Sequence, residues 1–113
     1  MEAASIIGAL GALAQEHRLA VFRQLVQAGD KGMAAGAIAG ALGIANSSLS
    51  FHLAQLRSAG LILQERQHRS LIYRANYPAM NALLAYLTEN CCEGAACTGD
   101  ATCAPPLQER KSA

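Results

Sequence analysis

Four cysteines lie close together near the C-terminal end of the chain, in the segment CCEGAACTGDATCAPP. They are Cys91, Cys92, Cys97 and Cys103. A thiolate is a soft donor, so thiols at this density predict the binding of a soft, thiophilic species. The surrounding residues are mostly small, polar, Gly or Pro, and they offer little interior in which a structural cysteine could be buried. All four cysteines are therefore candidate ligands.

The spacing of these thiols favours a trivalent ion over zinc. Structural zinc sites usually combine C-x2-4-C pairs with a second pair or with histidines, whereas this segment has one adjacent pair, two single cysteines and no histidine. As(III) or Sb(III) needs only two or three sulfurs, which Cys91, Cys92 and one later cysteine would supply. The shorter loop slightly favours Cys97 over Cys103 as the third ligand. A zinc or cadmium site, or a redox-sensing disulfide from Cys92 to Cys97 or Cys103, stays open as an alternative.

Residues 34–60 carry the pattern of a helix-turn-helix. Two segments with apolar residues at helical spacing, GMAAGAIAGALGI and NSSLSFHLAQLRSAG, meet near Gly43. The second helix opens with Asn46, Ser47 and Ser48, whose short polar side chains are expected to cap it or to contact phosphates and base edges. Gly60 is expected to end it in the left-handed conformation. Such a helix enters the major groove of double-stranded DNA by its N-terminal end.

A β-hairpin is predicted directly after this element, in the segment LILQERQHRSLIYRA. Leu61 with Leu63, and then Leu71 with Tyr73, alternate at strand spacing, as in the wing of a winged helix. The basic tip of such a wing is expected to reach DNA beside the groove. His52 is equally well explained as a helix residue near the DNA backbone and as a partly buried packing group. The candidate DNA-binding residues are Asn46, Ser47, Ser48, Ser50, Phe51, His52, Arg57, Arg66, His68 and Arg69.

Three further helices are predicted around this unit, at residues 5–14, at residues 16–27 and from Pro78 to about residue 90. Glycines in the first of them and an apolar seam in the last favour a two-fold homodimer formed through these two helices. The predicted fold is mainly α with a small β-hairpin. Residues 1–90 would form a winged helix-turn-helix DNA-binding and dimerisation domain, and residues 91–113 a flexible inducer-binding tail.

Composition and charge narrow the class of protein further. A chain of 113 residues fits one domain, and no run approaches the roughly 20 apolar residues of a membrane span. The N-terminal residues lack the features of a signal peptide, so we expect a soluble cytoplasmic protein with no membrane partner. Net charge is only +1, yet residues 31–74 hold five basic side chains and one acidic one. Neither a C-x-x-C motif nor a catalytic triad is evident, so an enzyme is not expected.

The sequence resembles the ArsR/SmtB family of bacterial metalloregulatory repressors over about residues 5–90. The most specific part is SSLSFHLAQLRSAGLI, which is close to the family signature S-x-HL-x-x-L-x-x-x-GL. The matching residues are Ser50, His52, Leu53, Leu56, Gly60 and Leu61. The resemblance implies a homodimer that binds the operator DNA of a resistance operon and leaves it when metal binds.

Two familiar metal sites of that family are missing from this sequence. Arsenic-sensing members carry C-V-C-D-L before the recognition helix, where residues 34–38 here read AAGAI. Zinc- and nickel-sensing members use Asp, His and Glu on the last helix, where residues 77–90 offer only Glu89. The C-terminal cysteines are similar to those of variant arsenical sensors whose thiols follow the last helix. The resemblance therefore implies an arsenic-responsive repressor with As(III) or Sb(III) as inducer and no organic cofactor.

Overall fold

A computed structural model describes residues 2–91 of the chain. Within that range the elements are α1 (Ala3–Leu13), α2 (Glu16–Ala28), β1 (Met33–Ala34), α3 (Ala35–Leu42), α4 (Asn46–Ser58), β2 (Ile62–Gln67), β3 (Ser70–Ala75) and α5 (Tyr77–Leu87). A short 3-10 helix, Gly29–Lys31, follows α2. Of the predicted thiol ligands, Cys91 is described, whereas Cys92, Cys97 and Cys103 lie outside the described residues.

The chain divides into two compact units, Met1–Leu83 and Leu84–Ala113, with the division inside α5. The first unit contains the helices and strands up to most of α5. Of the second unit, the end of α5 and the residues up to Cys91 are described. The predicted domain boundary after residue 90 stays a prediction.

The sheet has three antiparallel strands in the order β1-β3-β2, so it contains one strand more than the predicted hairpin. Met33 pairs with Tyr73, and Ala34 with Ile72. Gly32 permits this close approach, because its φ is 65° and a Cβ there would lie 2.5 Å from the Tyr73 carbonyl oxygen. The mainly α fold class with a small sheet is confirmed. Strand β1 was missed because two residues are too few to show an alternating pattern.

The two longer strands form the wing, and the buried side of β2 differs from the one that the alternation of leucines predicts. Ile62 and Tyr73 are buried, whereas Leu63 is 46% exposed. The two-residue periodicity of a strand, started at Leu61, predicts that Leu63 is buried. Leu61 lies in the turn after α4, however, and β2 begins one residue later, at Ile62. The pairing of Gln67 with Ser70 leaves a two-residue turn at the wing tip.

The core of the first unit is built from aliphatic side chains of all its helices. Its fully buried large residues are Val21, Leu25, Ile38, Leu49, Leu56 and Leu61. The predicted apolar stripes of α3 and α4 are thereby confirmed, with Leu53 only 2% exposed. In α2, the helical spacing of Leu19, Phe22, Leu25 and Val26 predicts that Leu19 lies in the core. It is 45% exposed instead, and Val21 at 0% takes its place. Helix α2 is thus rotated relative to the predicted stripe.

Asn76 connects the start of α5 to the turn that follows α4. Its Oδ1 accepts a hydrogen bond from the Ala79 N–H (3.3 Å), and its Nδ2 donates to the Gly60 carbonyl (2.9 Å). Its backbone N–H donates to the Leu61 carbonyl at 2.8 Å. The side chain therefore acts as an N-cap of α5 and satisfies a carbonyl at the end of α4. Pro78 lies in the first turn of α5 as predicted.

Replacing Asn76 tests this connection. Asn76→Ala removes both side-chain hydrogen bonds and should lower the free energy of unfolding by about 1–2 kcal/mol, measured by urea denaturation followed by circular dichroism. Asn76→Asp is the matched control, because it keeps an acceptor for the Ala79 N–H and loses only the donor to Gly60. An alanine variant as stable as the wild type would show that the cap contributes nothing.

Candidate nucleic-acid interface

Helices α3 and α4 form the helix-turn-helix that the sequence predicts. Their axes differ in direction by 113°, within the range of about 90–120° typical of this motif. Gly43 ends α3 with a φ of 67° in the left-handed region, and the next helix begins at Asn46. The break of three residues therefore turns the chain sharply between the two helices.

One face of α4 packs against the rest of the first unit and is buried. Leu49, His52, Leu53 and Leu56 are its buried residues, and they recur at spacings of three, one and three, as one side of an α-helix requires. This face packs on α2 and α3. Because the helix is fixed on that side, its opposite side is held outward in a defined orientation.

The exposed face of α4 carries mainly short polar side chains. It comprises Asn46, Ser47, Ser48, Ser50, Phe51, Ala54, Gln55, Arg57 and Ser58. Every predicted DNA-binding residue of this helix except His52 belongs to the face. Hydroxyl and amide groups donate and accept hydrogen bonds, and short side chains let a helix approach base edges closely. The face therefore suits the floor of a major groove.

The N-terminus of α4 differs from the sequence-based prediction of a capped end. The N-cap residue is Ala45, which has no side chain to cap the helix. Asn46, Ser47 and Ser48 lie inside the first turn rather than before it, so their predicted capping role is wrong. All three are exposed at the end of the helix whose partial positive charge favours phosphate.

The C-terminus of α4 ends as predicted at Gly60, whose φ is 79°. The Leu61 N–H donates to the Leu56 carbonyl at 3.0 Å, and the Gly60 N–H to the Arg57 carbonyl at 2.9 Å. These two bonds form a Schellman motif. The motif sets the direction in which the chain leaves α4 for the wing.

His52 lies in the packing interface of α4 and not on its exposed face. The side chain is 9% exposed, and its Nδ1 has no hydrogen-bond partner among the described residues. Its ring lies 5.6 Å from that of His17 on α2 and 5.8 Å from that of Phe51, measured between centroids. Of the two roles predicted for His52, burial supports packing, and the contact with DNA stays a prediction.

Burial lowers the pKa of His52 below its ordinary value of 6.5, and the positive charge of Arg18 and the neighbouring His17 lower it further. Below about pH 6.5 the unfolded chain therefore takes up a proton that the folded chain resists, and acid destabilises the fold. We expect the free energy of unfolding to fall between about pH 7 and pH 5 in urea titrations of the wild type.

His52→Gln removes the titrating ring and should flatten this part of the pH profile. His68→Gln is the control for general acid effects, because it removes an exposed histidine that is not among the groups lowering the pKa of His52. If the His52 variant loses stability on acidification as steeply as the wild type, another group causes the loss.

The wing places basic side chains at its tip. Arg66, His68 and Arg69 are all exposed, and His68 occupies the turn with a φ of 56°. Arg74, further back on β3, forms an ion pair with Glu65, which partly neutralises it. The positive charge of the wing is thus concentrated at the tip, where contact with a phosphate backbone is electrostatically favourable.

No group of three or more His, Cys, Asp or Glu side chains that could hold a metal ion occurs within residues 2–91. Cys91 is half-buried, and its N–H donates to the Thr88 carbonyl at 2.9 Å. The predicted As(III) or Sb(III) site stays a prediction, because its other ligands lie outside the described range.

Within residues 2–91 no single helix is long and apolar enough to cross a membrane. Only α3 and α4 taken together across their bend would meet the length and composition of a span.

Sequence comparisons identify relatives of the helix-turn-helix region. Residues 13–65 match the family model described as a helix-turn-helix domain. The HTH-type transcriptional regulator YgaV of Escherichia coli K12 is 32% identical over 83 residues, which are 74% of this chain and 82% of YgaV. The nodulation protein NolR of Rhizobium meliloti is 33% identical over 82 residues, or 73% of this chain. The match spans 65% of the length of NolR.

Solved structures resemble this fold over most of the chain. An ArsR-like transcriptional regulator from Rhodococcus sp. RHA1 superposes with a TM-score of 0.68 at 25% identity, covering 74% of this chain and 76% of that one. The homodimeric winged helix-turn-helix DNA-binding domain of Mb0332 from Mycobacterium bovis gives 0.60 at 28% identity, covering 80% and 84%.

The fold is therefore that of a winged helix-turn-helix regulator. The chain belongs to the ArsR/SmtB family of transcriptional regulators. Its relatives are regulators and not enzymes, which confirms the expectation that this protein is not an enzyme.

Proposed function

We propose that the protein is a homodimeric repressor that binds operator DNA of an arsenic-resistance operon and leaves it when As(III) or Sb(III) binds the C-terminal cysteines. The observation that carries the DNA-binding part is the two-sided character of α4. Its leucines are buried, while its serines, Asn46 and Arg57 are exposed. Family membership supports the same conclusion.

In the proposed complex, α4 enters the major groove by its N-terminal end. Ser47, Ser48 and Ser50 would then lie near base edges, and Arg57 near the sugar-phosphate backbone. The basic tip of the wing, with Arg66, His68 and Arg69 (all exposed), would contact backbone phosphates beside the groove. The base contacts provide sequence preference, and the phosphate contacts provide affinity that decreases with salt.

Dimerisation through the first and last helices is supported by apolar side chains that the isolated chain leaves exposed. On α1, Ile7 is 69% and Leu10 is 41% exposed. In the second unit, Leu84 and Leu87 near the end of α5 are 52% and 54% exposed. A two-fold dimer would present two copies of α4 about 34 Å apart, one turn of DNA, to a palindromic operator.

The inducer assignment rests on the chemistry of the four thiols. Soft sulfur donors bind thiophilic As(III) and Sb(III) strongly. Each As–S bond that forms replaces an As–OH bond of arsenite, and the thiol proton leaves with the hydroxide as water. Cys91 follows α5 closely and is hydrogen-bonded through its N–H to the Thr88 carbonyl. Capture of an ion by Cys91 and Cys92, with Cys97 or Cys103, would therefore act on the end of the proposed dimerisation helix.

Release from DNA then follows from thermodynamic coupling between the two sites. An ion that binds more tightly to a dimer geometry that does not fit the operator lowers the affinity of the protein for the operator. The operator lowers the affinity for the ion by the same factor. A coupling free energy of about 1–3 kcal/mol weakens operator binding about 5- to 150-fold. That range is sufficient for derepression.

Serine substitutions separate DNA binding from induction. Cys91→Ser, Cys92→Ser and the double variant should bind operator DNA as the wild type does, because α4 and the wing are unchanged, but arsenite should no longer release them. The measurement is fluorescence anisotropy of a labelled operator duplex, titrated with arsenite, methylarsenite, zinc and cadmium. Normal release of the double variant by arsenite would place the sensing site elsewhere.

The same assay distinguishes the alternative inducers. Gln27→Ala is the control, because it removes one exposed polar group of α2 outside the proposed DNA interface and leaves every thiol in place; its release by arsenite should be that of the wild type. Release by zinc or cadmium but not by arsenite would replace As(III) with a divalent ion. Release by peroxide alone, reversed by a reductant, would show a redox sensor.

A further inference from the structure

Phe51 differs in kind from the other exposed side chains of α4. Among residues Asn46–Ser58 it is the only large apolar side chain that is exposed, at 58%. A single exposed apolar residue is common on protein surfaces, so exposure alone identifies no partner. The position of Phe51 on the helix and the way its ring is held carry the inference.

The ring projects from the middle of the exposed face of α4. Ser47 lies one turn before it and Ala54 one turn after it, on the same side of the helix. Both neighbours are small and exposed, so the phenyl group extends beyond them. When α4 approaches a groove with this face, Phe51 is among the first side chains to reach the base edges.

The orientation of the ring is restricted by the core. Its centroid lies 5.8 Å from that of the buried His52, with an angle of 64° between the two planes. This is the edge-to-face geometry that aromatic pairs prefer. Since His52 is fixed in the interface of α4, it supports Phe51 from one side and leaves the rest of the ring exposed.

The major groove offers few apolar groups to such a ring. Base edges there present hydrogen-bond donors and acceptors, and thymine alone adds a C5-methyl group. Serine hydroxyls donate and accept, so they distinguish poorly between base pairs. An apolar side chain, by contrast, stabilises the complex when it packs against a methyl group and destabilises it when it covers a polar base edge.

We propose that Phe51, together with Ala54, packs against the C5-methyl group of a thymine in each half-site and so determines a T·A preference at that position. The inference rests on the proposed DNA-binding function and goes beyond it, because it assigns one residue to one chemical feature of the base sequence. The hydroxyl groups of Ser47 and Ser50 would contact the neighbouring polar edges.

Replacement of thymine by deoxyuridine tests the contact directly, because uracil keeps all hydrogen-bonding groups of thymine and lacks only the methyl group. The probe is the duplex that the full-length wild-type protein selects from a random DNA library. Each thymine is replaced singly, and affinities are measured by fluorescence anisotropy. We expect one position per half-site at which the replacement weakens wild-type binding about fourfold, and about 15-fold when both half-sites are changed.

The protein variants complete a double-mutant cycle with the DNA. Phe51→Ala should bind less tightly and should be insensitive to deoxyuridine at that position, while Phe51→Leu should keep part of the sensitivity. Leu19→Ala is the matched control, since it removes a similarly exposed apolar side chain (45%) from α2, and its deoxyuridine profile should equal that of the wild type. Circular dichroism melting verifies that all variants are folded.

The possible results separate this inference from the function on which it rests. Equal deoxyuridine profiles for wild type and Phe51→Ala would overturn the thymine contact while leaving DNA binding intact. Failure of the wild-type protein to enrich any sequence from the library would overturn sequence-specific DNA binding itself, and the thymine contact with it.

Discussion

The burial of one face of α4 is the constraint on which the proposed interface depends. Leu49, Leu53 and Leu56 are almost completely removed from solvent and pack towards α2 and α3. Truncation of such a leucine typically costs about 2–5 kcal/mol, a large part of the stability of a domain of this size. With that face fixed, the helix cannot rotate, and the directions of Ser47 and Phe51 follow from helical periodicity.

The ends of α4 are fixed by different interactions from its middle. Gly43 turns the chain into the helix, and Gly60 with its Schellman hydrogen bonds turns it out towards the wing. Asn76 then ties the same turn to the start of α5, and the hydroxyl of Tyr77 donates to the Val26 carbonyl at 2.9 Å. Hydrogen bonds around the turn after α4 thus join this helix to the start of α5, and the Tyr77 bond joins α5 to α2.

Features that depend on local spacing could be predicted from the sequence. The leucine stripe of α4, the helix end at Gly60 and the basic wing tip can each be recognised from a few neighbouring residues. The same is true of the family signature around His52. Features that depend on distant pairing could not. Strand β1 exists because Met33 meets Tyr73, forty positions along the chain.

Two differences from the sequence-based expectation at the candidate site also depend on distant or neighbouring elements. The burial of His52 follows from its position beside α2 and His17, which the sequence of α4 alone does not contain. The capping role of Asn46, Ser47 and Ser48 failed because the helix begins one residue earlier than a polar cap would place it. The proposed inducer rests instead on donor chemistry, because four soft thiols at this spacing suit As(III) better than zinc.

The central claim is that the exposed face of α4 binds the DNA, and one added charge tests it most directly. Ser50→Glu places a carboxylate on that face without touching the buried leucines; Gln27→Glu, at an exposed position of α2, adds the same charge elsewhere. Fluorescence anisotropy with the selected duplex should show affinity at least about tenfold lower for Ser50→Glu only, with unfolding free energies within about 0.5 kcal/mol of wild type. Unchanged affinity of a folded Ser50→Glu protein would contradict the account.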